Sequence, residues 1–199
     1  MSEIRRKPGQ RRYFAYGSNL SLEGMASRCP DSEPVGRATL EGWTLTFNGV
    51  ADIERREGAR THGVLWRISD RDLERLDSYE GYPRLYRREL VSVQTEQGEV
   101  VAVTYVMNDD YVGLPSPSYY EIIKRGYDQW NLPVAALDLA VATVKDSLYD
   151  RGIRSFEPDG PKRLRPASRG RPGSPTSSPP RSRGRSDHGR QETGRAHDA

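Results

Sequence analysis

Between Tyr13 and Leu20 the chain reads Tyr-Phe-Ala-Tyr-Gly-Ser-Asn-Leu, four residues suited to a buried strand followed by a Gly-Ser-Asn turn. Gly17 permits positive φ and close backbone approach, so the peptide N–H groups after it can converge on one spot. A concavity of such donors binds anions. Ser21 is suited to cap a short helix over Leu22 to Cys29, whose first-turn amides face the same way. A carboxylate or phosphate fits there. The plainer reading of the same residues is a strand-to-helix turn made of turn-favouring side chains.

The chain has 199 residues and is 34% hydrophobic, which is low for a chain folded throughout but enough for one domain with a sizeable core. The deficit is concentrated at the end. Residues 158–199 carry ten Lys and Arg against four Asp and Glu, with only Leu164, Ala167, Ala196 and Ala199 apolar and no aromatic. Such a segment cannot bury enough surface to fold, and it is expected to be a disordered basic tail rich in Arg, Ser, Pro and Gly. The formal net charge of +3 divides into about +6 on the tail and about −3 on the rest. Nucleic acid is therefore expected to bind weakly at most, through the tail and in a salt-dependent way, because the tail has no aromatic side chain for base stacking.

Residues 1–12 form a basic N-terminal extension with no apolar signal core, and no apolar run of 18 residues occurs, so no membrane span is expected. Cys29 is the single cysteine, and His62 the single histidine before the tail. An intramolecular disulfide and a cysteine-cluster metal site are excluded, a His-based triad or His-rich metal site is not expected, and the expected setting is reducing and cytoplasmic.

The domain is expected over 13–150. Val35 to Leu40 and Trp43 to Asn48 read as a hairpin turning at Glu41-Gly42, and Asn48-Gly49 opens a charged, mobile surface loop through Arg60. His62 to Ile68 is a strand. Ser69 then caps a helix from Asp70 to Glu80, stopped by Gly81 and Pro83. Tyr86 to Gln94 and Val100 to Met107 pair as a second hairpin. Ser116 and Pro117 start a helix with Tyr119, Ile122, Ile123, Gly126, Tyr127 and Trp130 on its apolar face, and a last helix runs from Pro133 to Tyr149. About six strands joined mostly by hairpins, with helices between and after them, predict an α+β fold with a curled or closed sheet.

In the helix from Asp70, Leu73 and Leu76 set the buried stripe, and Glu80 falls on it while Glu74 falls off it. Burial and the helix C-terminus both push a carboxyl pKa upward there, as a general base requires; the alternative is a solvated terminal charge. Asp77 lies near the same stripe. Arg88 shares a strand face with Tyr86 and Leu90 and is suited either to neutralise a substrate carboxylate or to snorkel at the surface. Tyr119 sits at a core position of its helix.

Tyr13 to Leu20, then Leu76-Asp77-Ser78-Tyr79-Glu80-Gly81, then Pro115-Ser116-Pro117-Ser118-Tyr119, in that order and spacing, resemble the γ-glutamylcyclotransferase family, including its avirulence-induced-gene-like branch. The resemblance covers about residues 13–133. It implies a small closed or nearly closed six-stranded β-barrel with flanking helices, a cofactor-free site, and a small-molecule γ-glutamyl substrate converted to 5-oxoproline with release of the amine. By motif, Glu80 matches the catalytic acid/base. The segment Tyr13, Phe14, Ala15, Tyr16, Gly17, Ser18, Asn19, Leu20 matches the substrate loop, and Tyr119 a substrate-contacting tyrosine.

The chemistry needs no protein nucleophile, because the substrate's own α-amine attacks its γ-carbonyl, and intramolecular attack reaches effective molarities of about 10⁵ to 10⁸ M. The base takes a proton from an amine of pKa about 8, so an ordinary Glu near 4.3 is mismatched by about 5 kcal/mol. A buried Glu80 narrows that gap. Two other readings use the same residues: a binding module of this fold without catalysis, and a basic-tailed partner of nucleic acid or acidic proteins.

Overall fold

A computed structural model describes residues 9–109 and 111–152. The expected tail over 158–199 and residues 1–8 of the expected basic extension lie outside these. Five strands close into a barrel in the order β1-β3-β2-β4-β5. They are β1 (Gln10–Ala15), β2 (Glu33–Phe47), β3 (Ala51–Ser69), β4 (Tyr86–Thr95) and β5 (Gly98–Met107). Four helices flank it: α1 (Leu22–Arg28), α2 (Asp70–Glu80), α3 (Pro117–Gln129) and α4 (Val134–Asp150). The α+β barrel with flanking helices is as expected from the sequence. Among the described helices none is long and apolar enough to cross a membrane.

The strand number differs from the expected six for a local reason. Val35–Leu40 and Trp43–Asn48 belong to one strand, β2, because Glu41-Gly42 makes an irregularity and not a turn. Gly42 takes φ +76°, and the pairing shifts there: Glu41 faces Arg60 while Trp43 faces Arg55. Four residues of β3, 56–59, thus stand opposite Gly42 alone, as in an enlarged bulge. The chain reverses at Asn48-Gly49 instead, with the Asn48 N–H donating to the Val50 carbonyl at 3.0 Å.

The segment expected to be a charged loop through Arg60 is therefore mostly strand. It escaped the period-two pattern because residues 54–58 are all exposed, so no apolar face marks them. Side chains along the ribbon hold it instead: Arg55 stacks on Trp43 at 4.5 Å and pairs with Glu89 at 2.9 Å.

β1 is the closing strand. It pairs antiparallel with β3 and parallel with β5, where Tyr13 sits opposite Val103. It begins at Gln10, so part of the basic stretch before Tyr13 is already sheet. Its Phe14 is buried in the barrel with Leu65, Ile68, Phe47 and Val93. α3 packs on the turn after β1, where Leu20 fits against Gly126 and the Trp130 indole N–H donates to the Leu20 carbonyl at 2.7 Å. This contact, 110 residues apart in sequence, fixes the turn against a helix.

Gly63 on β3 leaves room for β1: a Cβ there would lie 2.3 Å from the Ala15 carbonyl oxygen and 2.6 Å from the Phe14 ring. Neither neighbour can swing away. Gly63→Ala should destabilise the barrel by about 2 kcal/mol or more, read as a lowered urea midpoint. An unchanged midpoint would contradict this packing.

Candidate active site

The two sequence segments that define the site meet at the end of α2. A reciprocal cap starts that helix, with Ser69 Oγ accepting from the Asp72 N–H at 3.0 Å and the Asp72 carboxylate from the Ser69 N–H at 3.2 Å. Leu73 and Leu76 then bury its inner stripe. Gly81, at φ +67°, ends it, so Glu80 is its last residue and is held at the barrel end.

Asn19 receives it from the other side. Its side chain is 3% exposed, and its Nδ2 donates to Glu80 Oε1 at 2.8 Å and to the Tyr13 hydroxyl at 2.9 Å. Its Oδ1 accepts from Arg28 Nη1 at 2.9 Å. Burial raises the Glu80 carboxyl to about 7, against smaller downward pulls from the Asn19 hydrogen bond and the Arg28 charge. Near neutrality such a group can both accept and return a proton.

Tyrosines wall the space in front of this carboxyl, and their hydroxyls are anchored. Tyr16 donates to the Tyr105 carbonyl at 2.7 Å, Tyr86 to the Ala51 carbonyl at 2.9 Å, and Tyr105 to Asp77 Oδ1 at 2.8 Å. Tyr119 accepts from the Ala51 N–H at 3.3 Å. Burial pushes Tyr13, Tyr16, Tyr86, Tyr105 and Tyr119 upward, so all stay neutral at physiological pH. The cavity among them is about 20 Å³, room for one water-sized group.

Larger clefts of about 520 and 570 Å³ lie against the outer faces of β4–β5 and of the β2–β3 ribbon. They lack this convergence of hydroxyls and amide on a carboxyl that titrates near neutrality. Among the described residues no group of three or more His, Cys, Asp or Glu is arranged to hold a metal ion.

The sequence model of the AIG2-like γ-glutamyl cyclotransferase family matches residues 13–132. The chain belongs to that family. The match takes in the turn, Glu80 and Tyr119 together, and this family member is an enzyme of the cyclotransferase type. It is 32% identical to human γ-glutamylcyclotransferase over 136 residues, covering 61% of this chain and 72% of the human one. With the bovine γ-glutamylcyclotransferase it shares 29% identity over 161 residues, 74% of this chain and 79% of the other. A solved γ-glutamyl cyclotransferase structure superposes with a TM-score of 0.62 at 26% identity, over 71% of this chain and 99% of that one.

The fold sorts the expected site residues of this cyclotransferase into two groups. Tyr13, Tyr16, Gly17, Ser18, Asn19, Glu80 and Tyr119 line the cavity. Phe14, Ala15 and Leu20 are buried in the core and do not line it. Arg88 is not brought to the cavity: its Nε donates to Asp77 Oδ1 at 2.8 Å, its Nη2 to Oδ2, and it stacks on Tyr82 at 4.8 Å. Gly17 takes φ −116°, so positive φ is not why glycine stands there. The reason is close approach, because a Cβ would lie 3.0 Å from that of Ala51 and 3.6 Å from the Tyr119 hydroxyl.

Ala51, Tyr86 and Tyr105 complete the lining and were not singled out in the sequence. Tyr86 and Tyr105 read as ordinary inward positions of strands, and only the barrel's closure shows that both sit at the end facing Glu80. Asp77, one turn before Glu80, accepts from both Tyr105 and Arg88 and so supports the wall from behind.

A carboxyl whose folded pKa lies above its unfolded value favours folding when protonated, and that contribution is lost as pH rises from about 4.5 to about 7. Glu80→Gln keeps an acceptor for Asn19 and removes the titration. The variant should therefore be more stable than wild type at pH 8, by up to about 3 kcal/mol, with the difference shrinking toward pH 4. Equal differences at the two pH values, measured by denaturant melts, would contradict a buried, raised carboxyl.

Proposed function

We propose that the enzyme converts a γ-glutamyl amino acid or amine to 5-oxoproline with release of the free amine, Glu80 acting as general acid/base. The observation that carries this reading is the single carboxyl near pKa 7 held on Asn19 at the end of a tyrosine-walled cavity. The substrate α-nitrogen forms a bond to the γ-carbonyl carbon as the bond from that carbonyl carbon to the leaving nitrogen breaks. Glu80 takes the proton from the attacking nitrogen and returns it to the leaving one, so it ends the cycle unchanged. With the carboxyl near 7 and the amine near 8, the proton transfer is close to balanced.

The turn from Gly17 supplies the electrostatic part. Within it the Leu20 N–H is taken by the Gly17 carbonyl at 3.0 Å, so the amides of Ser18 and Asn19 precede the first bonded one. We assign them to an anionic group of the substrate, the α-carboxylate or the developing oxyanion. Tyr119 and Tyr86 then bracket the γ-glutamyl chain. The present space admits one water-sized group, so binding parts the tyrosine walls. We place the reaction in the cytoplasm, where Cys29, free and buried, stays reduced.

Two variants test the assignment with a panel of γ-glutamyl amino acids and amines scored for 5-oxoproline. Glu80→Gln should lower turnover by about 10² to 10⁴ with KM little changed, and Asp77→Asn, which touches only the back of the wall, should lose less. Wild-type turnover in Glu80→Gln would remove Glu80 as the base. Gly17→Val drives a side chain into Ala51 and Tyr119 and should abolish saturation while the fold survives. If wild type forms no 5-oxoproline from any member of the panel, the cyclotransferase reading for this chain fails.

A further inference from the structure

Arg28 closes α1 and lies outside the cavity lining, yet it is wired to its centre. Nη1 donates to Asn19 Oδ1 at 2.9 Å, and the guanidinium carbon lies over the Tyr79 ring, 4.1 Å from its centroid. Tyr79 is itself tied to the turn, its hydroxyl 3.2 Å from Ser18 Oγ. The Asn19 side chain has its oxygen on Arg28 and its two N–H groups on Tyr13 and Glu80, so it has no side-chain donor left to offer a substrate. What it can do is hold Glu80. Oε1 is fixed by that bond, and Oε2 has no hydrogen-bond partner among the described residues.

α1 makes room for the contact. Gly24 lies four residues before Arg28 inside a helix of seven residues, where glycine costs about 1 kcal/mol relative to alanine. A Cβ on Gly24 would stand 2.8 Å from Arg28 Nη1, so the missing side chain is the space through which the guanidinium folds back to reach Asn19. Placing a helix-weakening residue there serves that one geometry.

We propose that Arg28 is a positioning residue for the reaction, which through the Asn19 amide fixes one oxygen of Glu80 and leaves the other to the substrate. The inference rests on Glu80 being the base, as proposed above. The other titratable groups facing Glu80 are Tyr13 and Tyr16 from β1 and the turn, Tyr86 from β4, Tyr105 from β5 and Tyr119 from α3. Asp52 on β3 acts on Tyr16 and Tyr86, and Asp77 is neutralised by Arg88. None of these supplies a positive charge to Glu80. Arg28 and the Asn19 hydrogen bond both pull its carboxyl down against burial. Without the cation the base is protonated at higher pH and its orientation is looser.

The test is the pH dependence of kcat/KM for Arg28→Met, Arg28→Lys and Gly24→Ala against wild type. In Arg28→Met the acid limb should move up by about 0.5 to 1 pH unit, which is about a three- to ten-fold loss at pH 6 that narrows above pH 9. Arg28→Lys keeps a charge and a donor and should stay close to the wild-type limb. Gly24→Ala should shift the limb in the same direction as Arg28→Met, since its Cβ displaces the guanidinium; the Cβ also comes within 3.3 Å of the Ser21 cap, so a thermal melt is run beside it to confirm that the fold is kept. A limb at the wild-type pH in Arg28→Met overturns the proposal; should that variant not fold, an unmoved limb in Gly24→Ala does so. A Lys variant shifted as far as Met also overturns it. Glu80→Gln separates the two readings: full activity there defeats the base itself, whereas a dead Glu80→Gln with unmoved Arg28 variants defeats only the role of Arg28.

Discussion

The hydrogen bond from Asn19 to Glu80 joins two parts of the chain that are 61 residues apart, and the site exists only where they meet. Each end is held by a different physical cause. Asn19 is fixed because it sits in a short turn directly after the strand that closes the barrel, with all its side-chain polar atoms engaged. Glu80 is fixed because two leucines bury the stripe of α2 on which it falls and a glycine stops the helix at once. A shift of either element by one residue would turn the carboxyl or the amide away from the other.

Around that bond the protein places neutral tyrosines and no free cation among the residues that line the cavity. The choice follows from the electrostatics. A free arginine facing Glu80 directly would hold the carboxyl ionised near its ordinary range, too acidic to trade protons with an amine. Buried phenols lend hydrogen-bonding oxygens without charge, so desolvation keeps the upper hand and Glu80 stays near 7. The cations close by are kept at one remove, Arg28 behind an amide and Arg88 on a carboxylate of its own.

Much of this was legible in the chain. The turn after Tyr16, the helix that ends at Glu80 and the cap at Ser116 each carry local chemistry that period and capping rules read directly, and their order carries the family resemblance. The long β2–β3 ribbon was not legible, because a glycine inside a strand looks like a turn and an exposed strand has no apolar face to announce it. Between the two readings open for Arg88 the strand pattern could not choose, because its partner, Asp77, comes from a helix packed there by the closed barrel. Tyr86 and Tyr105 were invisible as site residues because only closure of the barrel sets which inward tyrosines stand at which end.

The central claim is that one carboxyl, poised near neutrality by burial and held in place by Asn19, runs the proton traffic of a cyclisation. Its most direct test is a ¹³C NMR titration of the Glu80 carboxyl in the free enzyme, set beside the pH dependence of kcat/KM for 5-oxoproline formation. The account predicts a carboxyl midpoint of about 7 that coincides with the acid limb of kcat/KM. A carboxyl that titrates in the ordinary glutamate range, below about pH 5, or a limb that does not follow it, would contradict the account.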